Sequence, residues 1–488
     1  TSPSLVYLIP SELLGFISFV EYHSLQVLSR AFWEYVIKTK NSGEDMSEKH
    51  TILKGTFILT ATGFLSRFIG FFYRMFLSHT FGEESVGLYQ LIFPIYALCF
   101  SLTTAGIEVA LSRCVARKVA LSRHKEARQL LYVGLFLSIA LSTVTAAILQ
   151  TNASAFSIYI LGDIRCEPLL IAISYSLPFA SVHSCICGYY LGRKQTKIPA
   201  LAQLIEQIAR VFSVYVIYMI ALKKEQPVTI LFAVIGLVIG EIVSSLFCIQ
   251  CFTYGKVFAR IHFILKNNFS HLKELLKLSV PLTANRILLN ILQSIEAISI
   301  PIRLQQYGYT SSDALSAYGV LTGMALPCIL FPSAITNAVS TMLLPTVTEI
   351  QTSNNWKQLK KLIQKVILYC FSLGFFCCIL FLLFGNWIGT ILFHSQLAGN
   401  FLLTLSWICP FLYANSTLIS IINGLGNTTI SFLINTFGLF IRIIGVIVFI
   451  PQIGLNGYLW GLLASQLSVS ILSILYLSCH LKKREFAT

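Results

Sequence analysis

Long apolar runs alternate with short polar stretches along most of the chain. Leu130 to Leu149 reads LLYVGLFLSIALSTVTAAIL and carries no charge. About 20 such residues are enough for a helix to cross the hydrocarbon core. Twelve runs of this kind are predicted as spans: 52–77, 86–110, 130–151, 168–190, 198–221, 227–251, 278–302, 314–344, 362–385, 400–423, 429–450 and 456–480. Lipid leaves no backbone polar group unpaired except in helices or closed barrels. These runs are too long and too continuously apolar for barrel strands. The expected fold is therefore an all-α membrane protein of about 12 transmembrane helices.

The polar stretches set an orientation. One side collects Arg30, Lys38, Lys40 and Lys49, then the six basic residues from Arg113 to Arg128, then Arg193, Lys194 and Lys197. It also takes the basic residues from Lys256 to Lys277, those from Lys357 to Lys365, and Lys482, Lys483 and Arg484. The other side holds Arg165, Lys223, Lys224 and Arg303. Basic residues collect on the cytoplasmic side, so both termini are expected there. The same distribution explains the net charge of +15 without a nucleic-acid partner. Charged residues make up 11% of the chain and apolar ones 56%. A soluble domain carries about 25% charged residues, so a water-soluble protein is excluded.

Residues 1–51 stand apart. Leu5 to Val20 is apolar but short, and Pro10 and Glu12 interrupt it. No cleavable signal of the usual form is recognisable. A peripheral or poorly ordered amphipathic extension is expected, in preference to a thirteenth span.

The chain also repeats itself. At an offset of 232, Ser174, Pro178, Phe179, Gly192, Thr196 and Arg210 fall on Ser406, Pro410, Phe411, Gly424, Thr428 and Arg442. At an offset of 221, the ladder Gly236, Gly240, Ser244 falls on Gly457, Gly461, Ser465. Matches of Pro, Gly and mid-span Arg carry more weight than matches of Leu or Val. Six spans per half is an even number, so the repeats enter the membrane in the same direction. Such parallel repeats place a substrate site at their interface. The expected domains are an N-lobe at 52–254, a cytoplasmic amphipathic linker at 255–277 and a C-lobe at 278–484. The small-residue ladders should bring helices close together.

Charges at bilayer depth are costly unless paired or wetted. The chain keeps Arg67, Arg74, Glu108, Glu206, Arg210, Glu241, Arg286, Glu296 and Arg442 inside its apolar runs. Glu206 and Arg210 lie four apart and can pair on one helix face. Glu108 can pair with Arg113 or meet headgroups, Arg74 can snorkel outward, and Glu241 can be protonated and hydrogen-bonded. Arg67, Arg442 and Glu296 have no partner one turn away and are expected to face a water-filled central cavity. Arginines outnumber acids in this set, and guanidinium forks suit phosphate oxygens. The expected substrate cavity is lined by Arg67, Arg286, Arg442, Arg210 and Arg74. Glu296, Glu241, Glu206 and Glu108 are the candidates for ion coupling, to protons or sodium.

Thirteen cysteines lie mostly inside apolar runs and read as small core residues. Cys248 and Cys251 form a C-x-x-C pair with no second pair at zinc-site spacing, so no metal site is expected. His183 and His394 read as packing and interfacial residues. No nucleophile–base constellation appears, so neither catalysis nor a cofactor is expected.

The block ILKGTFILTATGFLSRFIGFFYRMFLSHTFGEESVGLYQLIFPIYALCFSLTTAGIEVALSRCVARK, Ile52 to Lys118, resembles the stage V sporulation protein B family. That family is a branch of the multidrug/oligosaccharidyl-lipid/polysaccharide exporter superfamily, beside lipid II flippases and MATE transporters. IEAISIPIRLQQYG (Ile295 to Gly308), YGVLTGMALP (Tyr318 to Pro327) and NGLGNTTI (Asn423 to Ile430) extend the likeness, which runs to about Arg484. The resemblance implies a V-shaped pair of six-helix lobes around a cavity. It implies flipping of an undecaprenyl-pyrophosphate-linked peptidoglycan precursor, or a similar lipid-linked glycan, during spore cortex formation. Membrane lipids and cell-wall synthesis enzymes are the further expected partners, and a forespore membrane the expected place.

Ser66-Arg67 matches the motif that carries a cavity arginine in lipid II flippases, and the sporulation branch often has an acid where Glu296 stands. The charged pair of the flippases' eighth span is missing, with Leu321 and Met324 in its place. A cation-coupled multidrug antiporter of the same fold and a non-transporting scaffold for cell-wall enzymes are the alternatives.

Overall fold

The computed structural model describes residues 46–253, 269–352 and 356–485. The expected extension before residue 46 and most of the expected linker, 254–268, lie outside them. The chain divides into two compact units, Thr1–Lys54 and Gly55–Thr488. In the first, the described residues are helical from Met46 onward. The second is a helical bundle, with no strand among the described residues.

Among the described residues, ten helices of this unit are long and apolar enough to cross a membrane, and a bent pair makes an eleventh. The first of the ten, Ile58–Ala120, has 63 residues. A straight helix of that length would run about 95 Å, roughly three times the hydrocarbon core. Gly82, with φ 78° and ψ 169°, breaks it, since glycine alone enters that region freely. The two arms are the first and second spans, which brings the total to the expected twelve. The third is His124–Thr151, the fourth the pair Ile164–Ser174 and Ser176–Gly192 bent by 43°, the fifth Lys197–Lys223 and the sixth Leu231–Phe252. The seventh is His271–Tyr307, the eighth Ser311–Leu330, the ninth Trp356–Leu392, the tenth Gln396–Gly424, the eleventh Thr428–Ile453 and the twelfth Leu455–Leu481. The helix of the seventh span starts at Phe269, so the last residues of the expected linker, 269–277, already belong to it.

The eighth span differs from the continuous run 314–344 expected of it. A wide-turn stretch, Val320–Ala325, is followed by a break at Phe331 and Pro332, after which helix resumes over Ser333–Thr352. Similar wide turns occur at Ser101–Ala105 and Gly445–Phe449. Irregular turns of this kind concentrate at functional sites in helices.

The matched small-residue ladders do the same work in each half. A Cβ on Gly240 would stand 2.9 Å from the Glu206 carbonyl oxygen, and the Ser244 hydroxyl donates to the Ala202 carbonyl at 3.1 Å. These contacts seat the sixth span on the fifth. In the other half a Cβ on Gly461 would stand 3.0 Å from the Gly445 Cα, and Ser465 donates to the Gly438 carbonyl at 2.7 Å. There the twelfth span is seated on the eleventh. Small residues let backbones approach where lipid supplies no hydrophobic drive between helices.

Candidate functional site

Three polar centres form inside the bundle. In the first, Glu206 and Arg210 pair along one face of the fifth span, as their spacing predicts. Beside them the His183 Nδ1 lies 3.3 Å from a Glu241 carboxylate oxygen, which joins the fourth span to the sixth. His183 is therefore a partner of an intramembrane acid and not the packing residue expected. Glu108 is half-buried on the second span, and the cations in electrostatic reach of it are Arg286 and His183. The expected partner Arg113 is not among them.

The second centre joins the seventh, eleventh and twelfth spans. Arg442 Nε donates to Glu296 at 2.7 Å, Arg442 Nη2 donates to the other carboxylate oxygen, and the Tyr458 hydroxyl donates to Glu296 at 3.2 Å. Glu296 is 3% exposed. This corrects the expectation for both residues: they do not face a water-filled cavity as free charges but neutralise each other. A bidentate fork satisfies both carboxylate oxygens in a setting where an unpaired charge would be costly. Arg210 and Arg442, matched in the repeat, both end in ion pairs, one local and one long-range.

The third centre lies along the first span. Arg67, Arg74 and Ser78 share one face of its helix, since steps of seven and four residues return to nearly the same direction. At the Ser78 end this face is closed. Ser78 donates to the Phe393 carbonyl at 3.0 Å and contacts the Met324 sulfur at 3.4 Å, and Arg74 Nη1 donates to the Thr322 carbonyl at 3.4 Å. Arg74 thus holds the eighth span and does not snorkel. Just beyond, His79 Nε2 lies 2.7 Å from the Leu392 carbonyl and 2.9 Å from His394 Nδ1. The second and eighth spans meet backbone to backbone beside this closure, where a Cβ on Gly319 would stand 2.4 Å from the Glu83 carbonyl oxygen.

Two turns along from Arg74, roughly 10 Å at 1.5 Å per residue, the same face is open. Ser66 is buried while Arg67 is exposed, with no ion-pair partner among the described residues. Phe64, Phe68 and Phe71 meet Phe331 at the break in the eighth span, with ring centroids 5.4–6.1 Å apart. Leu321 and Met324, where a charged pair is missing, are fully buried. Arg286 of the seventh span is also exposed. One turn further along that helix Asn290 donates to the Ala97 carbonyl at 3.2 Å and to the Ser101 hydroxyl, which tie it to the second span. Of the five expected cavity arginines, Arg67 and Arg286 are open, and Arg74, Arg210 and Arg442 are engaged.

A helical bundle with paired intramembrane charges, broken spans and an exposed arginine on a central helix defines a multi-pass membrane protein. The chain belongs to the polysaccharide biosynthesis protein family, which matches residues 52–351, and the MatE family matches residues 287–448. It is 27% identical to stage V sporulation protein B of Bacillus subtilis (strain 168) over 429 residues, 87% of this chain and 83% of that protein. Its fold matches an inward-facing multidrug resistance MATE family transporter of the MOP superfamily at TM-score 0.67 and 16% identity. That match covers 86% of this chain and 96% of the other. Lipid II flippase MurJ in an inward closed conformation matches at the same TM-score and identity, over 86% and 87% of the two chains.

Proposed function

We propose that the protein is an alternating-access flippase. Its substrate would be a polyprenyl-pyrophosphate-linked glycan, the peptidoglycan precursor of the spore cortex, moved across the cytoplasmic membrane. The observation that carries this reading is the first span, closed onto the eighth at Arg74 and Ser78 and open at Arg67. An open guanidinium at bilayer depth needs an anion, and a pyrophosphate presents oxygens at the spacing of its fork. Arg286 is the second cation free to contribute. The names of the relatives, a sporulation protein and a lipid II flippase, support the substrate class.

In this reading residues 52–254 and 278–484 are two six-helix lobes that rock against each other, with both termini cytoplasmic. The contacts around Ser78, His79 and Gly319 close the outer side, and the Arg67 end opens to the cytoplasm, where the headgroup enters. The polyprenyl tail stays in the bilayer. Coupling to protons or sodium is assigned to Glu241, which meets the imidazole of His183 at 3.3 Å between the fourth and sixth spans. A drug cation would need a free deep acid. Glu206, Glu241 and Glu296 are instead tied to Arg210, His183 and Arg442.

The test is flipping of a fluorescent lipid-linked precursor in proteoliposomes. A charge-assisted hydrogen bond contributes about 1.5–3 kcal/mol. Arg67→Ala should therefore lower apparent affinity by roughly tenfold to a hundredfold, and Arg67→Lys, a point charge without the fork, should fall between. Flipping at the normal rate by Arg67→Ala at equal protein level would overturn the assignment.

A further inference from the structure

His183 faces more than Glu241. One turn along the fourth span is Cys187, and from the sixth span comes Cys248. The ligand atoms of these three residues all lie within 4.8 Å of one another. We infer that they form a binding site for a thiophilic divalent metal ion of the zinc class. The C-x-x-C spacing does not build it: Cys248 turns to Cys187, 61 residues away in the chain, and Cys251 is outside the cluster.

Four features support a ligand set over chance packing of thiols. The residue types and number suit zinc, which takes sulfur and imidazole nitrogen in tetrahedral sites, with ligand atoms about 3.5–4 Å apart. The separation here, within 4.8 Å, is close to that spacing. Next, His183 and Cys187 are four residues apart, so both project from one helix face, and both cysteines are buried, Cys187 at 6% and Cys248 at 0%.

The contact of Nδ1 with Glu241 at 3.3 Å is the third feature. A carboxylate on one imidazole nitrogen fixes the ring and leaves the other nitrogen's lone pair for a metal. The fourth is charge. Two thiolates and a neutral imidazole around a dication sum to zero, which removes most of the cost of holding that ion at membrane depth. The carboxylates of Glu206 and Glu241 lie within the same 4.8 Å limit of His183 and of each other. Magnesium and calcium are hard cations that take oxygen ligands, and the two thiols of this set suit a softer ion.

Binding releases the two thiol protons to solvent, so affinity rises with pH. A bound ion fastens the fourth span to the sixth and holds His183 as a ligand. It thereby arrests the proton traffic proposed for Glu241, a consequence that rests on the flippase reading; the metal site itself does not.

The experiment titrates tag-free, reduced, full-length protein in detergent with Co2+ and then Zn2+. About one Co2+ per chain is expected, with sulfur-to-cobalt charge-transfer absorption that Zn2+ abolishes. The bands should vanish in Cys187→Ser/Cys248→Ser and persist in Cys185→Ser/Cys251→Ser. Cobalt binding by the unaltered protein without thiolate bands overturns the proposal, and this needs no variant to fold. Bands that survive Cys187→Ser/Cys248→Ser overturn it as well. Flipping is measured on the same preparations. Thiolate bands without flipping uphold the metal site and remove the flippase reading; flipping without bands does the reverse.

Discussion

Arg442→Met isolates the correction that matters most for the site. In the structure Arg442 donates through Nε and Nη2 to the two oxygens of Glu296, and Tyr458 adds a third hydrogen bond at 3.2 Å. Removing the guanidinium strands a carboxylate that is 3% exposed with one neutral donor. Breaking one side of a buried pair costs about 3–5 kcal/mol, because the other charge is left uncompensated. Replacing both, as Arg442→Met/Glu296→Leu, removes the stranded charge and should return stability to about the wild-type level or above it. The double-mutant cycle should therefore give a coupling of about 3 kcal/mol or more, read from reversible unfolding of the protein in mixed micelles. Independent sites add to within about 0.5 kcal/mol. A coupling no larger than that would refute the reasoning and return Arg442 to the set of open cavity arginines. Flipping by the double variant supplies a second readout. If stability is restored and transport is lost, Arg442 touches substrate after all.

Three further outcomes follow from particular contacts. A Cβ at Gly319 would stand 2.4 Å from the Glu83 carbonyl oxygen, so Gly319→Ala should part the second and eighth spans. Gly63→Ala and Gly70→Ala meet nothing within 4 Å and should stabilise their helix by up to about 1 kcal/mol each; thermal unfolding separates the two groups. His79 Nε2 lies 2.7 Å from the Leu392 carbonyl oxygen and 2.9 Å from His394 Nδ1. His394→Ala removes one side of this contact and should widen a spin-label distance across it.

The third concerns Asp163, in the turn before the fourth span. Burial raises its pKa, and the hydrogen bonds from Arg165 more than reverse this, holding it below the usual aspartate range. A lowered folded-state value means that its contribution is fully present above the ordinary pKa and lost as pH falls through the lowered one. Asp163→Asn should therefore lower thermal stability at neutral pH and converge with the unaltered protein in acid.

How much of this was legible from the chain alone depends on how far apart the interacting residues lie. The spans were, because a helix in lipid must show its length and apolarity in consecutive residues. The Glu206–Arg210 pair was, because four residues is one helical turn. The Gly236 and Gly457 ladders were, because small residues at that spacing serve close approach wherever they occur. The Arg442–Glu296 pair joins residues 146 apart and His183–Glu241 residues 58 apart. No local period encodes which helix faces which, so these carboxylates and cations read as free charges until the bundle was assembled. The same holds for Arg67. Its sequence shows an arginine in an apolar run, and only the assembled bundle shows that its side chain stays exposed while Phe64 and Phe68 beside it pack on Phe331. The run lengths of the sequence determined a bundle of long apolar helices, about twelve in expectation. Tertiary packing decided which of the buried charges are neutralised and which remain available to a substrate, because that depends on contacts between helices and not within them.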